Sequence, residues 1–318
     1  MVTREKTEIL LNQINQIILG KEDLVKEIFL AMAAGGHVLL EDLPGTGKTT
    51  LALAFSKLLD FQCKRVQFTP DVLPSDLVGF SVYKRDTQQF EYQKGAVFCN
   101  LLLADEINRT SPKTQSALLE VMEEKQVTVE GMTRSVPDPF FVIATQNPYG
   151  TIGTQKLPVA QMDRFMISLS IGYPDFLDEI RMARGEDSKK SVKNLKQEME
   201  ITDFQEIQKE VEKVYMDEDL YEYIVRLVRA TREHPLIERG ASPRATIALV
   251  KMAKASAWSK GNEFVLPQDV KDQFLPVVKH RITESAKARM EGLEKEDILL
   301  SILRSVKEPV PGRKWEDA

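Results

Sequence analysis

The run Gly45-Thr46-Gly47-Lys48-Thr49 constrains this chain more than any other stretch, because of what stands on either side of it. His37–Leu40 ahead of it is an apolar strand candidate, and Lys48–Leu59 behind it has the pattern of a helix. Glycines between a strand and a helix let the backbone curl until successive N–H groups point at one anion, and the helix dipole favours negative charge there. This is the arrangement of a phosphate loop. Lys48 is then expected to reach the β- and γ-phosphates of ATP, and the Thr49 hydroxyl to ligate Mg2+. Pro44, Gly45, Thr46, Gly47, Lys48, Thr49 and Thr50 form the candidate phosphate-binding set. The usual pattern begins with glycine five residues before Gly47, where this chain has Asp42, so the strand and helix around the loop carry much of the assignment.

Leu101-Leu102-Leu103-Ala104-Asp105-Glu106 is a second apolar strand candidate, and it ends in two carboxylates. Doubly wound sheets bind ligands at the C-terminal ends of their strands, which puts this pair beside the phosphate loop. Asp105 is expected to hold the magnesium, and Glu106 to orient and polarise the attacking water. Adjacent carboxylates at a strand end also serve as helix caps. The presence of Lys48-Thr49 at a neighbouring strand end favours the chemical reading.

Up to about residue 172 the chain alternates strand and helix patterns, as a parallel sheet covered on both faces requires. Lys64–Phe68, Phe140–Thr145 and Met166–Ser170 are the remaining strand candidates, giving five in all. Ser111-Pro112 reads as a helix cap and first helical residue. After Gly172-Tyr173-Pro174 only amphipathic helices are expected, among them Asp217–Glu233, Pro243–Ala257, Pro267–Ser285 and Glu294–Val306. The predicted fold is α/β: a core over 1–172 with a parallel five-stranded sheet flanked by helices, then a smaller all-α domain over 173–318. Leu73–Lys94 reads as an insertion between the second and third strands, and Val127–Val136 as a hairpin turning at Glu130-Gly131.

Composition removes several classes. The chain has 318 residues and a net charge of −5, which argues against a broadly basic nucleic-acid-binding surface. No apolar run approaches the roughly 20 residues that cross a bilayer, so no membrane insertion is expected. The start of the chain reads as an amphipathic helix, not a signal peptide. Cys63 and Cys99 are too few for a disulfide framework and suit reduced thiols, which points to the cytoplasm. His37, His234 and His280 lack metal-ligand spacing.

Three further residues stand at informative places. Asn147 follows the fourth strand in Thr145-Gln146-Asn147-Pro148, Arg164 precedes the fifth, and Arg244 opens a helix in Ala241-Ser242-Pro243-Arg244-Ala245. Taken singly, an asparagine here is more often a turn former and an arginine more often a surface charge. Together with Leu102-Leu103-Ala104-Asp105-Glu106-Ile107-Asn108-Arg109-Thr110-Ser111-Pro112-Lys113-Thr114-Gln115, these runs resemble the MoxR family of AAA+ ATPases over nearly the whole chain.

The resemblance implies roles that spacing does not show. Asn147 matches sensor 1, and Arg244 matches sensor 2, which touches the γ-phosphate from the lid. Arg164 matches the arginine finger that acts on ATP of the neighbouring subunit. Gly20, with Leu19, matches the segment that contacts adenine. Family members usually have Glu where this chain has Val159, which leaves the charge partner of Arg164 to be found. Arg109 is a candidate for a subunit interface, and the two insertions match loops that face the pore of a ring. A homo-oligomeric, hexameric ring follows from the resemblance, as does a client such as a von Willebrand factor A domain protein. The implied activity is Mg-dependent ATP hydrolysis that remodels a partner, with a nucleotide-gated binding module as the alternative. A P-loop kinase would need an acceptor site, a GTPase would need an Asn-Lys-x-Asp motif, and an enhancer-binding activator would carry Gly-Ala-Phe-Thr-Gly-Ala; neither motif occurs.

Overall fold

The computed structural model describes residues 2–41, 47–147, 157–173, 176–184 and 192–309. Within them β1 (Val38–Glu41), β2 (Cys63–Gln67), β3 (Phe80–Lys84), β4 (Gln89–Gln93), β5 (Leu101–Asp105), β6 (Gln126–Val129), β7 (Met132–Ser135), β8 (Phe141–Gln146) and β9 (Ile167–Leu169) form one sheet and two hairpins. The sheet is parallel, in the order β2-β5-β8-β1-β9. All five sheet strands lie within one or two residues of the segments predicted from sequence. β5 and β8 are buried at every position, which is why they read as unbroken apolar runs.

Alternation sorts the strand side chains into two layers. Leu101, Leu103, Phe141 and Ile143 face one cluster, while Leu102, Ala104, Val142 and Ala144 face the other. The helix Pro112–Glu124 covers the second layer through Leu118, Leu119, Val121 and Met122. The first layer holds the helices Val2–Asn15, Glu22–Ala33 and Lys48–Leu58, and it also holds the C-terminal helices. Phe204, on Ile201–Lys213, stands edge-on to Phe29, Phe61 and Phe141 with centroids 5.4–5.8 Å away. Trp258 stacks on Phe29. The C-terminal helices thus share a core with the N-terminal half.

Two details differ from the sequence expectation. The helix from Pro267 stops at Val278, followed by a 3-10 turn over Lys279–Arg281 that carries His280 and Arg281 inward. The C-terminal part also contains a short antiparallel pair, β10 (Ile237–Arg239) with β11 (Thr283–Glu284), too short to show as alternation. The insertion and the hairpin are both present as structure. Pro74–Val78 is a helical turn leading into β3–β4, and β6–β7 pairs across Glu130-Gly131. The two hairpins touch: Ser81 Oγ donates to Glu130 Oε2 at 2.6 Å, and the Arg134 guanidinium lies 3.8 Å from the Tyr92 ring centre. Phe90, on β4 opposite Tyr83, is 73 % exposed.

His37 anchors the lower edge of the sheet, where its strands begin. Its Nε2 lies 3.0 Å from the Met122 carbonyl and its Nδ1 accepts from the Val142 N–H at 3.0 Å, a pattern that only a neutral ring satisfies. Complete burial pushes its pKa down to about 4. The unfolded chain therefore binds a proton in a window, from about 6.5 to about 4, where the folded chain does not. Stability is full above that window and declines through it as pH falls, by about 3 kcal/mol for this residue. His280, also depressed by burial, adds in the same direction. Denaturant midpoints at pH 7.5 and 5 should differ, and His37→Asn should narrow the gap. An unchanged gap in that variant would remove His37 from the account.

Candidate nucleotide site

The C-terminal edge of the sheet gathers most of the residues read from the sequence. β1 ends at Glu41, and the helix Lys48–Leu58 starts at the same edge. Pro44, Gly45 and Thr46, with Asp42, lie outside the described residues. Gly47 is the N-cap with φ +85°, a left-handed conformation that glycine adopts without steric cost. Among the described residues no side chain caps this helix, and its first turn carries no acidic residue. An N-terminus so arranged presents N–H groups and a positive dipole to an anion, so a phosphate fits at Lys48, Thr49 and Thr50. Gly20, with φ +65°, lies at this edge too, since Lys21 Nζ donates to the Tyr173 carbonyl just beyond β9.

Asp105 ends β5 and is buried. Arg65 Nε, on β2, donates to its Oδ2 at 2.7 Å, and the Thr145 hydroxyl donates to its Oδ1 at 3.4 Å. An anionic carboxylate in this position, close to the helix start, fits a hydrated divalent cation. Glu106 adopts φ +55°, a left-handed backbone that costs a non-glycine residue about 1 kcal/mol. The Thr145 hydroxyl holds that turn by accepting the Glu106 N–H at 2.9 Å. Gln67 Nε2 at 2.9 Å and Arg109 Nη1 at 2.7 Å both donate to Glu106 Oε2. Arg109, a sequence candidate for an interface, is thus in contact with Glu106 of its own chain. Asn147 follows β8 directly, at the same edge. Gln146 Nε2 donates to Glu41 Oε1 at 2.8 Å and ties β8 to β1 there.

Arg164 and Arg244 lie elsewhere. Arg164 precedes β9, whose residue Ile167 pairs with Val38, so it stands at the edge where the strands begin. Both arginines bond one carboxylate: Arg164 Nη1 donates to Glu123 Oε2, and Arg244 Nη2 to Glu123 Oε1. Glu123 is near the far end of Pro112–Glu124, a helix that starts just beyond Asp105-Glu106. Eleven residues from Pro112, it is about 16 Å along the helix axis. Glu123 supplies the charge partner that Val159 does not, and no local signal in the sequence marks it.

Neighbouring groups pin this second cluster. Ser242 caps the helix Pro243–Ser259, accepting from Arg244 N at 3.1 Å, and its hydroxyl donates to Asp163 Oδ2 at 2.6 Å. Arg281, 3 % exposed, donates to Asp163 Oδ1 at 2.9 Å and to the Phe165 and Met166 carbonyls at 2.6 and 2.9 Å. Burial lowers its pKa to about 10, with Asp163 acting against the shift. Among the described residues no group of three or more His, Cys, Asp or Glu is placed to hold a metal. No described helix is long and apolar enough to cross a membrane.

Residues 37–167 match the model of the ATPase family associated with various cellular activities (AAA), and 229–302 match that of the AAA lid domain. Chaperone MoxR1 of Mycobacterium tuberculosis is 35 % identical over 310 residues, covering 93 % of this chain and 81 % of that protein. The uncharacterized protein YeaC of Bacillus subtilis is 46 % identical over 297 residues, 93 % of each chain. A crystal structure of a candidate ATPase from Cytophaga hutchinsonii superposes with a TM-score of 0.89 at 38 % identity, covering 97 % of this chain and 96 % of the other.

Proposed function

This chain belongs to the MoxR family of AAA ATPases, and on that premise we propose that it hydrolyses ATP with magnesium in a site shared between adjacent subunits of a ring. One observation carries the reading. Lys48, Asp105, Glu106 and Asn147 stand at one edge of the sheet, while Arg164 and Arg244 stand together at the other. Glu123, which both arginines bond, lies about 16 Å along its helix from the end beside Asp105-Glu106, and that separation favours completion of the site by a second chain. Two copies set edge to edge bring the arginines of one to the phosphates of the next, as a closed ring does for every copy.

In this mechanism the first turn from Lys48 and its ammonium group grip the phosphates, and Gly20 borders the base. Magnesium, held through Thr49 and Asp105, supplies charge neutralisation at the phosphate oxygens. Glu106 polarises the attacking water, and Asn147 hydrogen-bonds the γ-phosphate or that water. Gln67 and Arg109 hold the Glu106 carboxylate, so their grip has to loosen before it faces water. Arg164 of the neighbour neutralises charge that develops during phosphoryl transfer, and Arg244, expected as the lid's own sensor 2 but paired with Arg164 on Glu123, acts there beside it. Loss of the γ-phosphate then releases the lid, taken as 173–318, and shifts the neighbour with it. Work of this kind suits a cytoplasmic hexamer remodelling a client protein, and the chaperone name of the Mycobacterium relative supports that client role. A von Willebrand factor A domain protein remains the proposed partner class.

Phosphate release tests the reading. With ATP and Mg2+ and no acceptor, the protein should liberate phosphate, and the rate per subunit should rise with protein concentration as the shared site assembles. Chelation of the magnesium should abolish it. Transfer to an added acceptor, or a rate per subunit independent of concentration from monomer upward, would contradict it.

A further inference from the structure

We propose that Glu123 is a positioning residue, which holds Arg164 and Arg244 as a pair for the triphosphate of the neighbouring subunit; this rests on the shared-site reading above. One carboxylate oxygen accepts from each arginine, so a single side chain sets the separation of two guanidinium groups. Without it, two like charges at this spacing repel, and two long side chains disperse among rotamers. With it, the pair is ordered before any phosphate arrives, which lowers the reorganisation needed at the moment of reaction.

The surroundings support a positioning role. Arg164 Nη1 also donates to the Leu119 carbonyl at 3.3 Å, so it is seated against the last turns of the helix that carries Glu123. The backbones on either side are fixed independently: Asp163 by Arg281 and Ser242, and Arg244 by the Ser242 cap. What remains adjustable is the side chains, and Glu123 fixes both. The three are partly exposed, at 31 %, 43 % and 39 % for Arg164, Arg244 and Glu123, so a phosphate can reach them and replacement of Glu123 opens no core cavity.

Glu123→Ala and Glu123→Gln should each lower kcat by about tenfold or more, the loss expected when preorganisation around developing charge is removed. The ATP concentration for half-saturation should stay within about twofold, because Glu123 stands away from its own chain's nucleotide. Glu123→Asp, which keeps the charge, should recover part of the rate. Thermal unfolding of each variant should match wild type. In assemblies mixed with Glu106→Gln subunits, which present an intact arginine pair, Glu123→Ala sites should regain turnover. Wild-type kcat in Glu123→Ala, or a deficit that mixing does not repair, overturns the proposal. An Arg164→Ala arm separates the two levels: if it too fails to be repaired, the shared site is wrong; if it alone is repaired, only the role of Glu123 is.

Discussion

Glu106→Gln is expected to bind ATP as wild type does while turnover falls by about 10²–10⁴, the usual contribution of a positioned base. The amide keeps the shape of the carboxylate and its Oε acceptor, so the contacts from Gln67 and Arg109 have a group to meet. The left-handed turn at Glu106 depends on its backbone N–H to Thr145, which the substitution leaves in place. Only basicity toward water is removed. Titration with a fluorescent nucleotide and phosphate release on the same sample separate the two effects. Turnover near wild type would take Glu106 out of the water-activating role, and lost binding would mean the substitution disturbed Asp105 or the helix start instead.

Arg164→Ala carries the second large effect, a loss of about 10³ or more in kcat by analogy with arginine fingers in phosphoryl transfer. Structurally the substitution should be mild. Its partner Glu123 is itself partly exposed, and an ion pair of that kind contributes at most about 1 kcal/mol. Folding and nucleotide binding by the variant's own loop should therefore survive, which makes lost turnover specific to the chemistry. Retention of turnover would leave Arg164 a surface charge paired with Glu123 and nothing more.

The parts of this site legible in sequence are those written locally. The strand, loop and helix around Lys48 are contiguous, the apolar run of β5 ends at its own carboxylates, and Ser111 and Ser242 announce their helices by the proline that follows each. Such features need only a few neighbouring residues, so spacing reveals them. Residues that act through long-range contact left no such trace. Arg65 reaches Asp105 across 40 positions, Gln67 reaches Glu106 across 39, and Glu123 reaches Arg244 across 121. Each lies in an ordinary polar position of its own strand or helix. The end of the helix from Pro267 was hidden for a related reason: Arg281 turns inward to meet Asp163, 118 residues away, and that tertiary bond overrides a helical pattern. The roles of Asn147, Arg164 and Arg244 came from family resemblance, and the structure adds that the two arginines lie away from the acidic pair of their own chain.

The measurement that bears most directly on the shared site is turnover of an equimolar mixture of Glu106→Gln and Arg164→Ala subunits. Neither variant alone should release phosphate at an appreciable rate. Mixed, the Arg164→Ala subunits retain Glu106 and receive an arginine from Glu106→Gln neighbours, so a substantial part of wild-type turnover should return. A mixture as inactive as its components, in assemblies shown to contain both subunits, would contradict the account.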